Sequence, residues 1–296
     1  MPSSFAPGPL ERAQPWLGTR VAIRVDRWWP GCDVQAAVSE AFNEVATIHH
    51  LMSFRAADSD VARLNRSAHR RAVPIDRRTM AVIQAAQMLS HACDGVFDVT
   101  LAGRWVAAGL LPPPAGSPPA DPTASYRDVQ VEDDGVRFLK PLWIDLGGIA
   151  KGFAADSAAR VLRLHGVWEG RVDAGGDLVT IGPGPHRIVL RAGAGSPDTA
   201  AVVEIGEGAV ATSSHRGDVR RRNGLAAIAH WHGQQRMPLS SSCSVSVLAT
   251  EGLHADALTK VVLASGSAAL PLLAHYGAVA YRHDELGGWH PLQASA

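Results

Sequence analysis

Residues Trp143–Gly166, WIDLGGIAKGFAADSAARVLRLHG, carry the pattern from which the rest of the chain can be interpreted. A short apolar segment holding Asp145 leads into the pair Gly147-Gly148 and then into Lys151, at the expected start of a helix. Glycines let the backbone approach a ligand closely, and the free N–H groups of a helix start favour an anion. The order of strand, glycine turn and helix therefore predicts a phosphate-binding turn.

The glycines alone leave an ordinary buried strand–turn–helix unit as the alternative. GGIAKG fits neither the GxGxxG fingerprint of dinucleotide-binding folds nor the GxxxxGK[ST] loop, which disfavours both of those sites. A second unit, VDAGG at Val172–Gly176, places an aspartate before a Gly-Gly pair 28 residues after the first. This parallel suggests that two Gly-Gly turns are presented to one site.

Composition excludes several classes of partner. The 296 residues are 46% apolar and 19% charged, and 28 basic residues balance 28 acidic ones. Such a balance gives no overall field that would attract nucleic acid or an anionic membrane. No apolar run approaches the roughly 18 residues that a membrane helix requires. We therefore expect neither nucleic-acid binding nor stable membrane insertion.

Cysteine usage and the first residues favour a cytoplasmic protein. Cys32, Cys93 and Cys243 are widely separated and no CxxC occurs, which argues against a disulfide framework or a cysteine-rich zinc site. The opening segment MPSSFAPGPLERAQPW lacks the basic region and the apolar core of a secretory signal. We expect residues 1–16 to be flexible.

The order of predicted elements indicates an α+β fold. Apolar periodicity predicts helices over about 33–52, with Asp33 as the N-cap, and over about 77–92. The segment Leu111–Thr123 holds six prolines in thirteen residues, which predicts an exposed loop. Strand patterns dominate after it. Helices early and strands late favour a mixed or antiparallel sheet over regular parallel alternation, within a single domain spanning 1–296.

Seven motifs, taken together and in order, resemble the FAD:protein FMN transferase family, known as the ApbE family. They are WLGTRVAIRV, MSFRAADSDVARLN, DGVFDVTLAGRW, WIDLGGIAKGFAAD, DAGGDLVTIG, VATSSHRGD and SVSVLATEGLHADALTKVVLASG. Each motif is weak alone, but the ordered set covers nearly the whole chain. The resemblance implies mixed and antiparallel sheets with flanking helices, and an FAD site between two closely packed lobes.

The resemblance also implies an activity. A member would bind FAD with Mg²⁺, move the FMN phosphoryl group onto a Thr or Ser hydroxyl of a partner flavoprotein, and release AMP. Breaking a pyrophosphate places negative charge on its oxygens, so the site needs cations and N–H donors that are positioned in advance. Gly147, Gly148 and the helix start would supply donors, and Lys151 a fixed charge.

Further site residues carry over from the family by position. Magnesium would be held by the carbonyl of Ala150 and by Asp256, with Thr259 beside them. The residues expected to border FAD are Met52, Ser53, Phe54 and Asp98, together with Asp177, Thr212 and Ser213 around the pyrophosphate or adenosine end. Asp98 has a second interpretation, as the cap of a turn.

The chain departs from the family pattern at Lys260. The family usually has a threonine four residues after the metal-binding aspartate, whereas here Thr259 lies one residue earlier and Lys260 takes that position. Asp256 and Lys260 at i, i+4 spacing on a helix would face the same way. Either they form a simple ion pair, or the ammonium assists the metal or partly replaces it.

A second departure lies just before the SVSV strand. The family's HxxDPxTG segment is replaced by AIAHWHGQQRMP, within residues 226–238, so the Asp-Pro and Thr-Gly pairs are missing. His230 or His232 could stand for the family's histidine near the acceptor hydroxyl, and each could equally be a polar loop residue. His230, Lys151 and Lys260 are thus the candidate catalytic residues.

Two other functions are compatible with this sequence. A metal-dependent FAD pyrophosphatase would use water in place of the acceptor hydroxyl and give FMN and AMP. An FAD-binding protein that has lost catalysis would be consistent with the missing pairs of the HxxDPxTG segment.

Overall fold

One antiparallel sheet forms the centre of the protein. The computed structural model describes residues 8–192, 200–214, 219–222, 225–228, 230–239, 243–284 and 288–294. The strands are β1 Leu10–Trp16, β2 Thr19–Trp28, β3 Val129–Glu132, β4 Gly135–Phe138, β5 Val167–Ala174, β6 Leu178–Ile181, β7 His186–Leu190, β8 Ala201–Ile205, β9 Gly208–Ser214, β10 Val219–Arg222, β11 Leu225–Ile228, β12 Trp231–His232, β13 Met237–Pro238, β14 Ser244–Ala249, β15 Val279–Asp284 and β16 Gly288–Pro291. The sheet order is β1-β2-β5-β6-β9-β14-β15-β16.

The helices pack around this sheet. They are α1 Val34–Leu51, α2 Asp60–Ser67, α3 Arg77–Ala92, α4 Ala102–Ala107, α5 Ala150–Leu164, α6 Gly252–Ser265 and α7 Leu270–His275. Their combination with antiparallel strand pairs confirms the predicted α+β class. The two longest helices predicted from periodicity, α1 and α3, are present, and each is capped by an aspartate, Asp33 and Asp76.

Helices α5 and α6 contribute to both hydrophobic cores. The larger core holds Ala154 and Leu258 among side chains of α2, α3 and β14. The smaller core holds Ala159 and Ala255 among side chains of α1, β2 and β5. The crossing of α5 and α6 therefore lies where the two cores meet, which fixes the relative position of residues from distant parts of the chain.

The segment Trp143–Leu146 is not a sheet strand, contrary to the sequence prediction. It is extended but pairs with no strand; instead the buried amide of Asn65 on α2 accepts from the N–H of Ile144 at 2.8 Å and donates to its carbonyl at 3.1 Å. The N–H of Asp145 donates to the carbonyl of Val99 at 2.9 Å. A side-chain amide thus replaces the neighbouring strand.

Replacing Asn65 by alanine is expected to lower the free energy of unfolding by about 3 kcal/mol. The change leaves the buried N–H and C=O of Ile144 without partners, and each unsatisfied group costs about 1–3 kcal/mol. Urea denaturation measures the loss, with Asn43→Ala as the matched control because Asn43 is exposed on α1. Equal stabilities of the two variants would contradict this account.

The first strand corrects another expectation. Residues 10–16, expected to be flexible, form β1, which pairs along its whole length with β2 from Leu10↔Val25 to Trp16↔Thr19. Residues 1–7 lie outside the described part of the chain. Leu111–Thr123 forms neither helix nor strand, and the carbonyl of Pro118 accepts from the indole N–H of Trp143 at 2.9 Å. This loop is thus packed against the extended segment.

One helical region has the length and composition of a membrane span. Within the described residues, Gly252–His275 is long and apolar enough to cross a membrane. A short 3₁₀ turn at Gly266–Ala269 interrupts it, and most of the α6 side chains are buried against α5 and the sheet. A core helix of this kind passes the same test, so the finding is weak evidence for membrane insertion.

Candidate functional site

Four charged side chains meet where α5 and α6 cross. Lys151 comes from α5, Asp177 from the turn between β5 and β6, and Asp256 and Lys260 from α6. The Lys151 ammonium pairs with Asp177 and lies 3.8 Å from Asp256 Oδ1. Lys260 Nζ pairs with the same Oδ1 and donates to the Asp256 carbonyl oxygen at 2.9 Å. The helix that follows the first Gly-Gly pair and the residue that follows the second therefore contribute to one cluster.

The lysines of this cluster face solvent more than its carboxylates do. The side chains of Lys151 and Lys260 are 29% and 18% exposed, whereas those of Asp177 and Asp256 are 3% and 0% exposed. The lysine side chains are therefore the part of the cluster that a ligand from solvent can contact. Since oriented charge of one sign attracts the opposite sign, this arrangement suits an anion such as a phosphate.

The two carboxylates of the cluster differ in ionisation. Burial and the nearby Asp256 carboxylate raise the pKa of Asp177 to about 6, and Lys151 offsets this only in part. Burial also raises the pKa of Asp256, but Lys151 and Lys260 outweigh it and hold the pKa below its ordinary value. Asp256 is therefore the carboxylate that stays ionised and anchors both lysines.

Most N–H donors expected for an anion are used within the chain. The N–H of Gly147 donates to Asp145 Oδ1 at 2.8 Å, that of Ala150 to the Leu146 carbonyl at 2.9 Å, and that of Gly152 to Asp256 Oδ2 at 3.2 Å. Gly148 lies beside the Lys260 side chain, since a Cβ built on Gly148 would be 3.8 Å from Lys260 Cε, an ordinary contact distance. The positive charge offered to a ligand therefore comes from the lysines more than from the glycine turn.

Asp156 on α5 caps the first turn of α6. Its Oδ1 and Oδ2 accept from the N–H groups of Gly252 and Leu253, each at 2.8 Å. A carboxylate at a helix N-terminus satisfies free donors and complements the helix dipole. This cap fixes the start of α6 four residues before Asp256, and the sequence patterns alone did not reveal its role.

The free energy of unfolding is expected to fall with rising pH because of Asp156. Burial raises its pKa from 3.8 to about 6, although the N–H groups of Leu253 and Gly252 lower it. The protonated form is thus favoured on folding, so this contribution is fully present below about pH 4 and is lost as pH rises through about 6. Urea denaturation between about pH 4 and pH 7.5 should show a weaker fall for Asp156→Asn than for wild type. Parallel pH profiles would contradict the assignment.

Hydroxyl groups join α6 to the sheet behind the charged cluster. The Thr259 hydroxyl donates to the Asp256 carbonyl at 2.6 Å and lies 2.8 Å from the Ser213 hydroxyl of β9. Thr212, the neighbour of Ser213, lies on the opposite face of the sheet, where its hydroxyl is 2.7 Å from that of Ser246 on β14. The structure thus brings Ser213, but not Thr212, into contact with α6.

A sequence comparison assigns the chain to a family. The sequence model of the ApbE family matches residues 17–281. The chain belongs to the ApbE family.

Individual ApbE relatives are distant in sequence and similar in fold. The FAD:protein FMN transferase of Treponema pallidum is 28% identical over 186 residues, which are 58% of this chain and 51% of that protein. The Vibrio cholerae enzyme of the same name is 23% identical over 85% of this chain and 80% of its own. The chain thus spans about half of the first relative's length. The crystal structure of the ApbE protein of Thermotoga maritima matches with a TM-score of 0.82 at 24% identity, covering 96% of this chain and 97% of that one.

The magnesium site implied by the ApbE resemblance does not fit the residues as arranged. Asp256 Oδ1 already accepts from Lys260, Oδ2 from the N–H of Gly152, and the Asp256 carbonyl from both Thr259 and Lys260. Magnesium demands near-octahedral oxygen coordination. Among the described residues, no group of three or more His, Cys, Asp or Glu side chains could hold a metal. Of the expected set Ala150, Asp256 and Thr259, the oxygens of Asp256 are thus engaged by the chain's own donors, and the Thr259 hydroxyl is one of those donors.

The residues expected beside the flavin are largely structural in their contacts. Met52 and Phe54 are buried in the larger core, and the Ser53 hydroxyl accepts from the N–H of Ala56 at 3.1 Å. Asp98 is a turn cap, as its second interpretation held: Oδ1 accepts from the N–H and hydroxyl of Thr100, and Oδ2 from the N–H of Tyr126. A role for these four residues in flavin binding stays a prediction.

The substituted segment before β14 is anchored on two neighbouring loops. Gly233 donates its N–H to the Val96 carbonyl at 2.9 Å, Gln234 donates to Asp94 at 3.0 Å, and Arg236 donates to the Pro122 and Ala124 carbonyls. Arg236 has φ 56°, a conformation that favours glycine. The turn is thus held by side chains that differ from the family's Asp-Pro and Thr-Gly pairs.

His230 precedes this anchored turn. It is buried, and its carbonyl accepts from the N–H of Leu239 at 2.9 Å. Residue 229 and residues 240–242 lie outside the described part of the chain. The catalytic role of His230 stays a prediction, but its backbone position is fixed by the β12–β13 hairpin that follows.

Proposed function

We propose that this chain is an FAD:protein FMN transferase. Membership of the ApbE family supports the reaction class. The ammonium groups of Lys151 and Lys260, each paired with a buried carboxylate, support a pyrophosphate as the ligand. The positions of Lys151 and Lys260 are the observation that carries the proposal. Ammonium groups that are preorganised beside a pyrophosphate stabilise the negative charge that develops on its oxygens as the P–O bond breaks.

The proposed reaction transfers FMN to a Thr or Ser hydroxyl of a partner flavoprotein. The hydroxyl oxygen forms a bond to the FMN phosphorus, the bond from that phosphorus to the bridging oxygen breaks, and AMP leaves with that oxygen. The hydroxyl proton passes to a base, which we assign to His230 because it matches the family histidine and lies on an anchored loop. Charge thus accumulates on phosphate oxygens, where lysines are placed.

Lys151 and Lys260 have separable tasks in this proposal. The Lys151 ammonium pairs with Asp177 and lies 3.8 Å from Asp256 Oδ1, and these two carboxylates fix its position. Lys260 projects from α6 toward Gly148, at the end of the glycine turn. Two cations on neighbouring elements can contact two phosphates of one pyrophosphate. The proposed site of action is the cytoplasm, in keeping with only three cysteines that are widely separated in the sequence and form no CxxC motif.

Mass spectrometry with FAD and a panel of flavoprotein acceptor domains tests the function. We expect a mass increase equal to FMN less one water on a Thr or Ser of an acceptor, with stoichiometric AMP. FMN and AMP without any acceptor would indicate the pyrophosphatase instead. Tight FAD binding with neither product would indicate a catalytically impaired FAD-binding protein.

A further inference from the structure

The contacts of Lys260 place a cation where the family pattern leads one to expect a metal. We propose that the Lys260 ammonium supplies this charge permanently, so that the chain binds FAD and transfers FMN without a divalent metal. The inference rests on the proposed function for its catalytic part. Its binding part stands on the geometry of α5 and α6 alone.

Lys260 contacts both a side-chain oxygen and the main-chain oxygen of Asp256. Its Nζ pairs with Oδ1 and donates at 2.9 Å to the main-chain carbonyl, which also accepts from the Thr259 hydroxyl. The other carboxylate oxygen, Oδ2, is engaged by the N–H of Gly152. A magnesium ion would have to displace Lys260 and also find ligands to complete its shell.

The charges of the cluster also disfavour an additional cation. Two lysines and two aspartates, Lys151, Lys260, Asp177 and Asp256, sum to zero when all are ionised. With a threonine at position 260 the sum would be −1, and one divalent cation would bring it to +1. With lysine present, a divalent cation would bring it to +2, in a region where the carboxylates are buried.

The Lys260 side chain is partly enclosed by its neighbours. Its Cε lies near Gly148, where an added Cβ would be in ordinary van der Waals contact with it at 3.8 Å. The Lys260 side chain is only 18% exposed although it is charged. Lysine is almost never this buried without a partner. An ordinary exposed i, i+4 ion pair would show neither the shared Oδ1 nor this enclosure.

Manganese binding, followed by electron paramagnetic resonance, tests the binding part without any turnover. With saturating FAD, we expect the wild-type chain to leave Mn²⁺ free. We expect Lys260→Thr to gain one Mn²⁺ site for which Mg²⁺ competes, and Asp256→Asn in the same background to lose it. A wild-type site that depends on Asp256 would overturn the inference, and so would a folded Lys260→Thr chain that gains none.

AMP release from FAD in the presence of an acceptor tests the catalytic part. Addition of EDTA should change the wild-type rate by less than about twofold. The same addition should lower the Lys260→Thr rate at least about tenfold, and excess Mg²⁺ should restore it. Inactivation of the wild type by EDTA would overturn the inference. If no chain turns over, the proposed function fails, and the Mn²⁺ measurement still decides whether Lys260 replaces the metal.

Discussion

Replacing Gly152 by alanine is expected to lower the free energy of unfolding by about 3 kcal/mol or more, because overpacking against rigid backbone exceeds the usual cost of a core insertion. A Cβ at this position would lie 2.0 Å from the carbonyl oxygen of Gly252 and 2.8 Å from the N–H nitrogen of Leu253. Both atoms belong to main chain, so the two helices must move apart. Gly252 faces the reverse restriction, since its own Cβ would lie 2.8 Å from the Gly152 carbonyl.

Separation of the helices would also open the charged cluster. The N–H of Gly152 would leave Asp256 Oδ2, and Asp156 would leave the first turn of α6. We therefore expect Gly152→Ala to lose FAD binding together with stability, as measured by flavin fluorescence and urea denaturation.

Gly103→Ala is the matched control for this prediction. Gly103 also lies in a helix, α4, but its nearest neighbour is the Cβ of Ala120 at 3.1 Å, a side chain that can shift. Alanine favours helix over glycine by about 1 kcal/mol, which offsets such crowding. A Gly152→Ala protein as stable as Gly103→Ala would contradict the proposed α5–α6 contact.

Local patterns predicted the elements that local chemistry determines. The α1 and α3 helices follow from a 3.6-residue apolar period, and Asp33 was predicted as the N-cap of α1. Each of these signals lies within about twenty residues of the element that it specifies. Periodicity could identify such elements without any knowledge of the remaining fold.

Contacts across long sequence separations were not predictable in the same way. Asn65 bonds to Ile144 across 79 positions, and Gly152 to Asp256 across 104. An asparagine after a polar stretch has the same local pattern whether it caps a turn or supports a distant segment. The apolar run 143–146 likewise has strand composition, but its partner is a side chain, which no two-residue period reveals.

The site was predictable as a set of residues and not as a set of contacts. Lys151, Asp177, Asp256 and Lys260 were all identified from motifs, and they meet in the structure. What each group donates to or accepts from depended on the α5–α6 crossing. Most of the glycine-turn donors therefore proved to be engaged internally, and the Asp256 oxygens expected for magnesium accept from Lys260, Thr259 and the N–H of Gly152.

Substituting asparagine for Asp256 is expected to reduce the rate of AMP release from FAD by about 1,000-fold, the scale of removing a preorganised electrostatic contact. Asparagine keeps the shape of the side chain but removes the charge that pairs with Lys260 and lies 3.8 Å from the Lys151 ammonium. Lys260 would then lose its carboxylate partner and leave its position, whereas Lys151 keeps its contact with Asp177. A misplacement of about 1 Å in a reacting group can cost about 100-fold by itself.

The same substitution should lower the free energy of unfolding by about 3 kcal/mol, because breaking a buried ion pair leaves an uncompensated charge. Asp133→Asn is the control, since Asp133 is exposed in the β3–β4 turn and should change stability by less than about 0.5 kcal/mol. Rates are compared below the unfolding transition of each variant, so that loss of folded protein does not count as loss of catalysis. An Asp256→Asn chain that folds and keeps its rate within tenfold of wild type would show that lysine placement by Asp256 is not what drives the reaction. If instead the rate falls while FAD still binds, the lysines act on the developing charge and not on ground-state affinity, as their position over the buried carboxylates implies.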